Sequence, residues 1–247
     1  MENFAIGAIS GTVGIAISHP FDTIKTCIQD QKPIKLNIRS LYKGFVPPLL
    51  GVGLEKAVVF GVYTNSFTYL KNRSIDDKYS IPLSGALSGL MASLVVTPVD
   101  RIKILLQTDA TINYKRITPS YLFRGLSATF TRETPGFAIY FSVFEGMKYK
   151  FYTSKDRQIT KTASFLYGGL SGAVAWVFIF PQDCIKTKMQ ATTGKKSFVT
   201  AVNEIYQSGG LRVFYRGFHF ALMRAVPLHA GTFMTYEFLK NINSKKN

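Results

Sequence analysis

Three aspartates in this sequence are each followed, three residues later, by a lysine inside an otherwise apolar stretch. The pairs are Asp22–Lys25, Asp100–Lys103 and Asp183–Lys186. A proline precedes each aspartate by two positions, and a glutamine follows each lysine by four, namely Gln29, Gln107 and Gln190. In an α-helix the acid, the base and the amide of one motif share a face, and the proline bends the helix just ahead of it. Such groups can form ion pairs that open and close.

Two ways of pairing are open to these charges. Each aspartate could pair with the lysine of its own helix, which contributes about 0.2–0.5 kcal/mol in water. An unpaired charge at membrane depth costs about 2.5 kcal/mol or more. Three bent helices would bring the motifs to one end of a bundle, where neighbouring helices could pair into a ring. The apolar surroundings favour the ring.

The acid–base motif belongs to a larger unit that occurs three times. Asp22 and Asp100 are 78 residues apart, and Asp100 and Asp183 are 83 apart. Each unit also has two glycines four residues apart ahead of its proline, at Gly7/Gly11, Gly85/Gly89 and Gly168/Gly172. Small residues at this spacing predict a close approach of helices. We predict three repeats, with bounds at residues 1–78, 79–160 and 161–247.

An aromatic residue, a base and a glycine recur in every repeat, as Tyr42-Lys43-Gly44, Phe123-Arg124-Gly125 and Tyr215-Arg216-Gly217. Each element precedes a predicted helix, whose N-terminal N–H groups and dipole favour an anion. One interpretation is a phospholipid phosphate bound at Gly44, Gly125 and Gly217. The other is that these elements only cap the helices and solubilise the connectors.

Six apolar segments make up the rest of the chain, near residues 4–28, 46–70, 81–106, 126–149, 164–189 and 218–240. Each is long enough to cross a hydrocarbon core of about 30 Å. Hydrophobic residues form 47% of the chain although the net charge is +16, which indicates a membrane or a polyanion as partner. The bases are scattered between apolar segments, which favours lipid over nucleic acid. Charges inside the segments suit helices around a watery cavity, and a soluble helical protein remains the alternative.

Taken together, the triple Pro-x-Asp-x-x-Lys motif, the trailing glutamines and the aromatic-base-glycine elements resemble the mitochondrial carrier family over nearly the whole chain. The resemblance implies an all-α membrane protein of six transmembrane helices in three pseudo-threefold repeats, with short matrix-side helices between helix pairs. It implies the inner mitochondrial membrane, with both termini on the intermembrane-space side, and cardiolipin as the bound lipid. We expect a monomer.

The family pattern implies two gates. On the matrix side, Asp22 would pair with Lys103, Asp100 with Lys186 and Asp183 with Lys25, braced by the three glutamines. On the cytoplasmic side, an aromatic-acid-x-x-base pattern is matched by Phe144-Glu145-x-x-Lys148 and Tyr236-Glu237-x-x-Lys240. The first repeat has Tyr63-Thr64-Asn65-Ser66-Phe67 instead, with neither charge. Glu145 with Lys240 is therefore the one bridge expected there, and this gate should be weak.

Substrate contacts are expected from charged residues between the gates. Arg132 lies seven residues after Gly125, about 10 Å along a helix. By resemblance, Arg132-Glu133 matches a pair found in amino acid carriers, and Glu55 the acid that holds a cationic side chain in ornithine-type carriers. Two further residues resemble the ornithine and acylcarnitine carriers, Arg224 and Trp176. Lys56 is also expected to contact substrate, although ornithine-like carriers have a neutral amide there, which favours a bulkier or more anionic substrate. The alternative is ion pairing between helices, or packing in the case of Trp176.

Three functions remain open from the sequence. The first is exchange of a cationic or zwitterionic amino acid, or a carnitine-like metabolite, by alternating access. The second is transport of nucleotides or another anionic cofactor, such as an S-adenosylmethionine-type substrate, which the net charge and Lys56 favour and Arg132-Glu133 disfavours. The third is a membrane scaffold that transports nothing, or a basic nucleic-acid binder. We expect no enzyme, cofactor or metal site, because His19, His219 and His229 lack partners for such chemistry.

Overall fold

The computed structural model describes residues 2–34, 36–108, 118–153, 160–191 and 196–224, and in the last segment also 227–228, 231, 234–235 and 238. Within these ranges all regular structure is helical. Five long helices are α1 (Glu2–Gln29), α3 (Val46–Asn72), α4 (Asp77–Gln107), α6 (Leu126–Phe151) and α7 (Lys161–Ala191). A further helical stretch begins at residue 218. The five long helices start and end within a few residues of the predicted apolar segments, and the last stretch begins at the predicted residue.

Short helices occupy the connectors that follow the proline motifs. The first two connectors contain only the four-residue helices α2 (Ile38–Leu41) and α5 (Pro119–Leu122) within their described parts. The third contains α8 (Phe198–Gln207) and a 3₁₀ helix, Leu211–Tyr215. Asn37 caps α2 and Thr118 caps α5, each by accepting a hydrogen bond from a backbone N–H of the first turn, which is how such side chains start helices.

The long helices pack in chain order. Helix α4 packs against α3 and α6, and α6 also packs against α7, while α1 touches α4 and α7. A small core joins α3, α4 and α6 through Val59, Ala92 and Phe141. The motif prolines Pro20, Pro98 and Pro181 lie inside continuous helices. One end of the bundle therefore collects the residues that follow these prolines, and we call it the proline end.

The glycine spacing predicts close packing in all three repeats, and among the described residues the structure shows it at both glycines of the second repeat. A β-carbon at Gly85 would lie 2.7 Å from the Phe137 carbonyl oxygen, and one at Gly89 would lie 2.2 Å from the Glu133 carbonyl oxygen. Backbone of α4 thus meets backbone of α6. Among the described residues, no heavy atom lies within 4 Å of that position at Gly11 or Gly172, so the described structure does not show the predicted close approach at these two glycines. Spacing alone does not tell which helix face meets a neighbour.

Apolar side chains cover much of the outer surface. Helix α3 exposes Leu50, Leu54 and Phe60, and α4 exposes Leu83, Leu87 and Leu94. Two helical stretches in the described residues, Ile38–Asn72 and Asp77–Gln107, are long and apolar enough to cross a membrane. Exposing an apolar surface of this kind to water costs free energy, whereas contact with lipid does not.

Candidate functional site

Six charged side chains meet at the proline end and form what we call the ion-pair ring: Asp22, Lys25, Asp100, Lys103, Asp183 and Lys186. Lys103 Nζ lies 3.0 Å from Asp22 Oδ2, and Lys25 Nζ lies 2.5 Å from Asp183 Oδ2. Lys186 donates a hydrogen bond to Asp100. Each pair joins two different long helices, as the family resemblance implies, and none joins an aspartate to the lysine of its own motif.

These ion pairs are largely buried, so breaking one of them should lower the stability of the fold strongly. The Asp183 side chain is 5% exposed and that of Lys186 is 2% exposed. Removing one partner of a buried pair leaves the other charge without compensation, which costs far more than the loss of a surface pair. The ring therefore holds α1, α4 and α7 together at this end.

Two arginines from neighbouring helices extend the ring. Arg132 of α6 donates to Asp183 over 3.0 Å and also contacts Glu133. Arg224 donates a hydrogen bond from Nη1 to Asp22 Oδ2 over 3.2 Å, and its Nε lies 3.2 Å from Asp22 Oδ1. A hydrogen bond between two charged groups is stronger than one between neutral groups. Residues expected to contact substrate thus touch the ring itself, so the expected separation of site from gate is absent here.

The combined cluster is not electrically balanced. Glu133 also lies 4.0 Å from Lys186, so the cluster holds the carboxylates of Asp22, Asp100, Glu133 and Asp183. Among the described residues, these four face five cations, Lys25, Lys103, Arg132, Lys186 and Arg224. The extra positive charge lies at the Asp22 corner, where one carboxylate faces Lys103 and Arg224. An anionic group approaching this corner would be attracted.

The three motif glutamines divide into two kinds. Gln29 donates to Asp183 over 2.9 Å and accepts a hydrogen bond from the Thr187 hydroxyl. Gln107 instead donates to Thr23, and Gln190 donates to Thr129. Direct bracing of an ion pair, expected for all three, is present in the structure for Gln29. The other two tie the ends of their helices to neighbouring helices.

The motif glycines have a backbone role. Gly44, Gly125 and Gly217 have φ values of 72°, 83° and 80°, a region that favours glycine. A β-carbon would lie 2.7 Å from the Lys103 carbonyl oxygen at Gly44 and 2.8 Å from Gln190 Cγ at Gly125. Each chain reversal is thus packed against the end of a motif helix. Lipid binding at these positions stays a prediction.

The other expected substrate residues are placed less centrally. Glu55 pairs at 3.0 Å with its chain neighbour Lys56, which compensates the charge of that lysine. Trp176 lies under Lys25, with Nζ 4.8 Å from the ring centroid, and also packs against Phe180. Trp176 therefore adds a cation–π contact to the ring, in line with the packing alternative.

The opposite end of the bundle lies about 20 Å along α6 from Arg132, and we call it the Glu145 end. Glu145 pairs there with Lys148 of its own helix at 3.1 Å. Where the first repeat lacks the acid and base, Tyr63 stacks on Phe67 and on Phe141. Glu237 and Lys240 lie outside the described residues, so the expected Glu145–Lys240 bridge has no geometry to report.

Sequence reasoning missed several residues of the site. Thr23 and Thr187 complete the glutamine contacts, and Arg101 is fully buried, where it donates to the Gln190 carbonyl and lies over Tyr121. His19 donates through Nε2 to the Lys43 carbonyl over 3.0 Å. All of these are next to, or three residues from, a motif aspartate or lysine, and this proximity was the available signal.

Just beyond α1, Asp30 lies close to two bases. Its carboxylate is 3.7 Å from Lys188 and 3.4 Å from Lys32. Burial raises the pKa of the Asp30 carboxyl above its ordinary value, although both lysines act in the opposite direction. Asp30 therefore links the end of α1 to the end of α7, a few residues beyond the ring along both helices.

Known proteins are similar to this chain over nearly its whole length. The sequence profile of the family described as "Mitochondrial carrier protein" matches residues 1–74, 79–155 and 157–247. Solute carrier family 25 member 45 of Mus musculus is 29% identical over 97% of this chain and 98% of its own length. The mitochondrial carnitine carrier of Saccharomyces cerevisiae is 29% identical over 99% and 88%. The mitochondrial basic amino acids transporter of Homo sapiens is 30% identical over 94% and 88%.

The helical bundle and the acid–base pairs that join different helices at one end agree with the class of membrane carriers. This chain belongs to the mitochondrial carrier family. It is a transporter of the inner mitochondrial membrane, and its membership supports a role other than catalysis.

Proposed function

We propose that this protein exchanges a small metabolite bearing both a carboxylate and a cationic group, an amino acid or a carnitine-like molecule, by alternating access. The transport unit would be six membrane-spanning helices in three repeats bounded at 1–78, 79–160 and 161–247. Its termini would face the intermembrane space, and the protein would work as a monomer with cardiolipin bound at Gly44, Gly125 and Gly217.

The observation that carries this proposal is that each of the two arginines is bound to an aspartate of the ion-pair ring. Arg132 and Arg224, the residues expected to hold substrate, are bound to Asp183 and Asp22. A substrate carboxylate offers the same geometry as an aspartate, so it can take an arginine away from the ring. Binding energy would then be used to loosen the matrix gate. The excess positive charge at Arg224 would attract that carboxylate first.

The names of similar proteins agree with this chemistry. A carnitine carrier and a basic amino acids transporter both match along most of this chain. The nucleotide alternative rested partly on Lys56, whose charge is compensated here by Glu55 at 3.0 Å. The net charge of +16 is then the main support for a polyanionic substrate.

Exchange in liposomes tests the proposal. Purified full-length protein is reconstituted, the vesicles are loaded with unlabelled solute, and uptake of labelled arginine, ornithine, carnitine and ATP is measured. We expect exchange of at least one of the first three and none of ATP. Asp77→Asn, which alters an exposed pair with Lys71, is the matched control and should transport as the unaltered chain does. Exchange of ATP alone would overturn the substrate assignment, and a protein that exchanges nothing would favour the scaffold.

A further inference from the structure

The three corners of the ion-pair ring are not equivalent, and the difference arises at one position of the repeat. Seven residues after each motif glycine the sequence has Gly51, Arg132 and Arg224. Arg132 binds the aspartate at the start of the following repeat, Asp183, and Arg224 binds Asp22. By the same relation position 51 faces Asp100, and it has no side chain to offer.

The space that an arginine would need at position 51 is filled. A β-carbon at Gly51 would lie 2.7 Å from a methyl carbon of Val99, the residue before Asp100. Among the described residues Lys186 is the only ion-pair partner of Asp100. The Asp100 side chain is also the most exposed of the three ring aspartates, at 24% against 12% for Asp22 and 5% for Asp183.

A second carboxylate lies further along α3, that of Glu55, and it pairs with Lys56 at 3.0 Å. Glu55 follows Gly51 by four residues on α3, so it projects from the same helix face about 6 Å further along. Its side chain is 22% exposed. Across the ring, the extra positive charge is at Arg224. The site therefore has a positive corner at Asp22 and a corner at Asp100 that is short of a cation.

We infer that Asp100 binds the cationic group of the substrate. The substrate then supplies the positive charge that Arg132 and Arg224 supply at the other two corners and that Gly51 cannot supply. This inference rests on the proposed function and names a binding residue for it. The carboxylate of the substrate lies on Arg224, and the cationic group at its far end passes Glu55 and reaches Asp100. A molecule with a carboxylate at one end and a cation at the other spans the two corners, whereas an analogue without the distal cation leaves Asp100 with one partner.

The test uses pairs of solutes that differ in charge but little in shape. Arginine is compared with citrulline, and carnitine with its carbon isostere, in which a tert-butyl group replaces trimethylammonium. Exchange in liposomes gives the preference for the charged member of each pair. We expect Asp100→Asn to lower this preference at least tenfold and Asp100→Glu to retain it. Asp22→Asn is the matched control, because it removes a ring carboxylate without touching the Asp100 corner, and it should slow both members alike.

A second pair of variants introduces a positive charge at position 51 of the protein. Gly51→Lys combined with Val99→Ala makes room for the new side chain, and Gly51→Met with Val99→Ala is its uncharged counterpart. The lysine variant should lose the preference for the charged solute at least tenfold, and the methionine variant should lose it less. Where a variant does not transport, the ligand-induced rise in its melting temperature is measured with the same solute pairs, since binding to the folded state alone raises stability.

The outcomes separate this inference from the proposed function. If the unaltered chain exchanges neither arginine, ornithine nor carnitine, the proposed function fails and this inference with it. If the unaltered chain prefers the charged solutes and Asp100→Asn keeps that preference, only the inference fails. An equal loss in Asp22→Asn and Asp100→Asn would likewise overturn it, because the effect would then belong to the ring as a whole.

Discussion

The two ends of the bundle hold their charges in different ways. At the proline end, acids and bases from different helices meet in buried pairs, supported by Arg132, Arg224 and Gln29. At the Glu145 end, the described pair is local to α6 and about a third exposed, and Lys71 and Asp77 pair across the loop from α3 to α4, both exposed. Among the described residues, buried pairs between different helices fasten the proline end, and none is present at the Glu145 end. Four substitutions test this contrast.

Asp183→Asn should have the largest effect. This carboxylate receives Lys25, Arg132 and Gln29, so its neutralisation leaves two buried cations short of compensation. We expect the free energy of unfolding to fall by about 3–5 kcal/mol, measured by thermal unfolding in detergent. Asp77→Asn, at an exposed pair, should change it by less than about 1 kcal/mol. Equal effects of the two changes would mean that the ends are fastened alike.

Gln29→Leu should come next. The change removes a hydrogen bond of 2.9 Å to a charged carboxylate and leaves the Thr187 hydroxyl without its acceptor. A loss of about 1.5–3 kcal/mol in unfolding free energy is expected. Gln31→Leu is the control, since Gln31 bonds Ser208 at the surface. No difference between the two variants would argue that Gln29 does not brace the ring.

Gly89→Ala tests whether the α4–α6 contact supports the proline end. The new methyl group would meet the Glu133 carbonyl oxygen at 2.2 Å and push α6, with Arg132, away from the ring. Overpacking outweighs the gain in helix propensity, so we expect a net loss of about 1–2 kcal/mol by thermal unfolding. Gly172→Ala has open space around it and should be neutral or slightly stabilising. A stable Gly89→Ala would contradict the close approach.

Glu145→Gln should have the smallest effect. It removes one partly exposed pair within α6, and such pairs contribute about 0.2–0.5 kcal/mol. The unfolding free energy should therefore change by no more than this amount, and Lys148→Gln should behave in the same way. A loss of several kcal/mol would show that Glu145 has a stronger partner and that the Glu145 end is fastened too.

The sequence was sufficient for the elements and for the ring. The repeated Pro-x-Asp-x-x-Lys motif indicates how far along its helix each charged residue lies and whether that residue is an acid or a base. The family pattern then predicted the three ion pairs that the structure contains. It was not sufficient for Arg132 and Arg224, because the position of a residue along its helix does not say how far a long side chain reaches toward a neighbour. The same limit applies to Gly11 and Gly172, whose spacing matches Gly85 and Gly89 while their surroundings differ.

The third connector differs from the other two in how it is attached. Ala201 and Ile205 of α8 are buried in one cluster with Cys184, Ile185 and Met189 of α7, and Val213 and Phe214 of the 3₁₀ helix join it. If the protein works by alternating access as proposed, a movement of α7 would carry this packed block with it. In the described parts of the first two connectors, α1 and α4 are followed only by the four-residue helices α2 and α5. A spectroscopic probe on α8 would therefore report a movement of α7 as a displacement of a whole packed block.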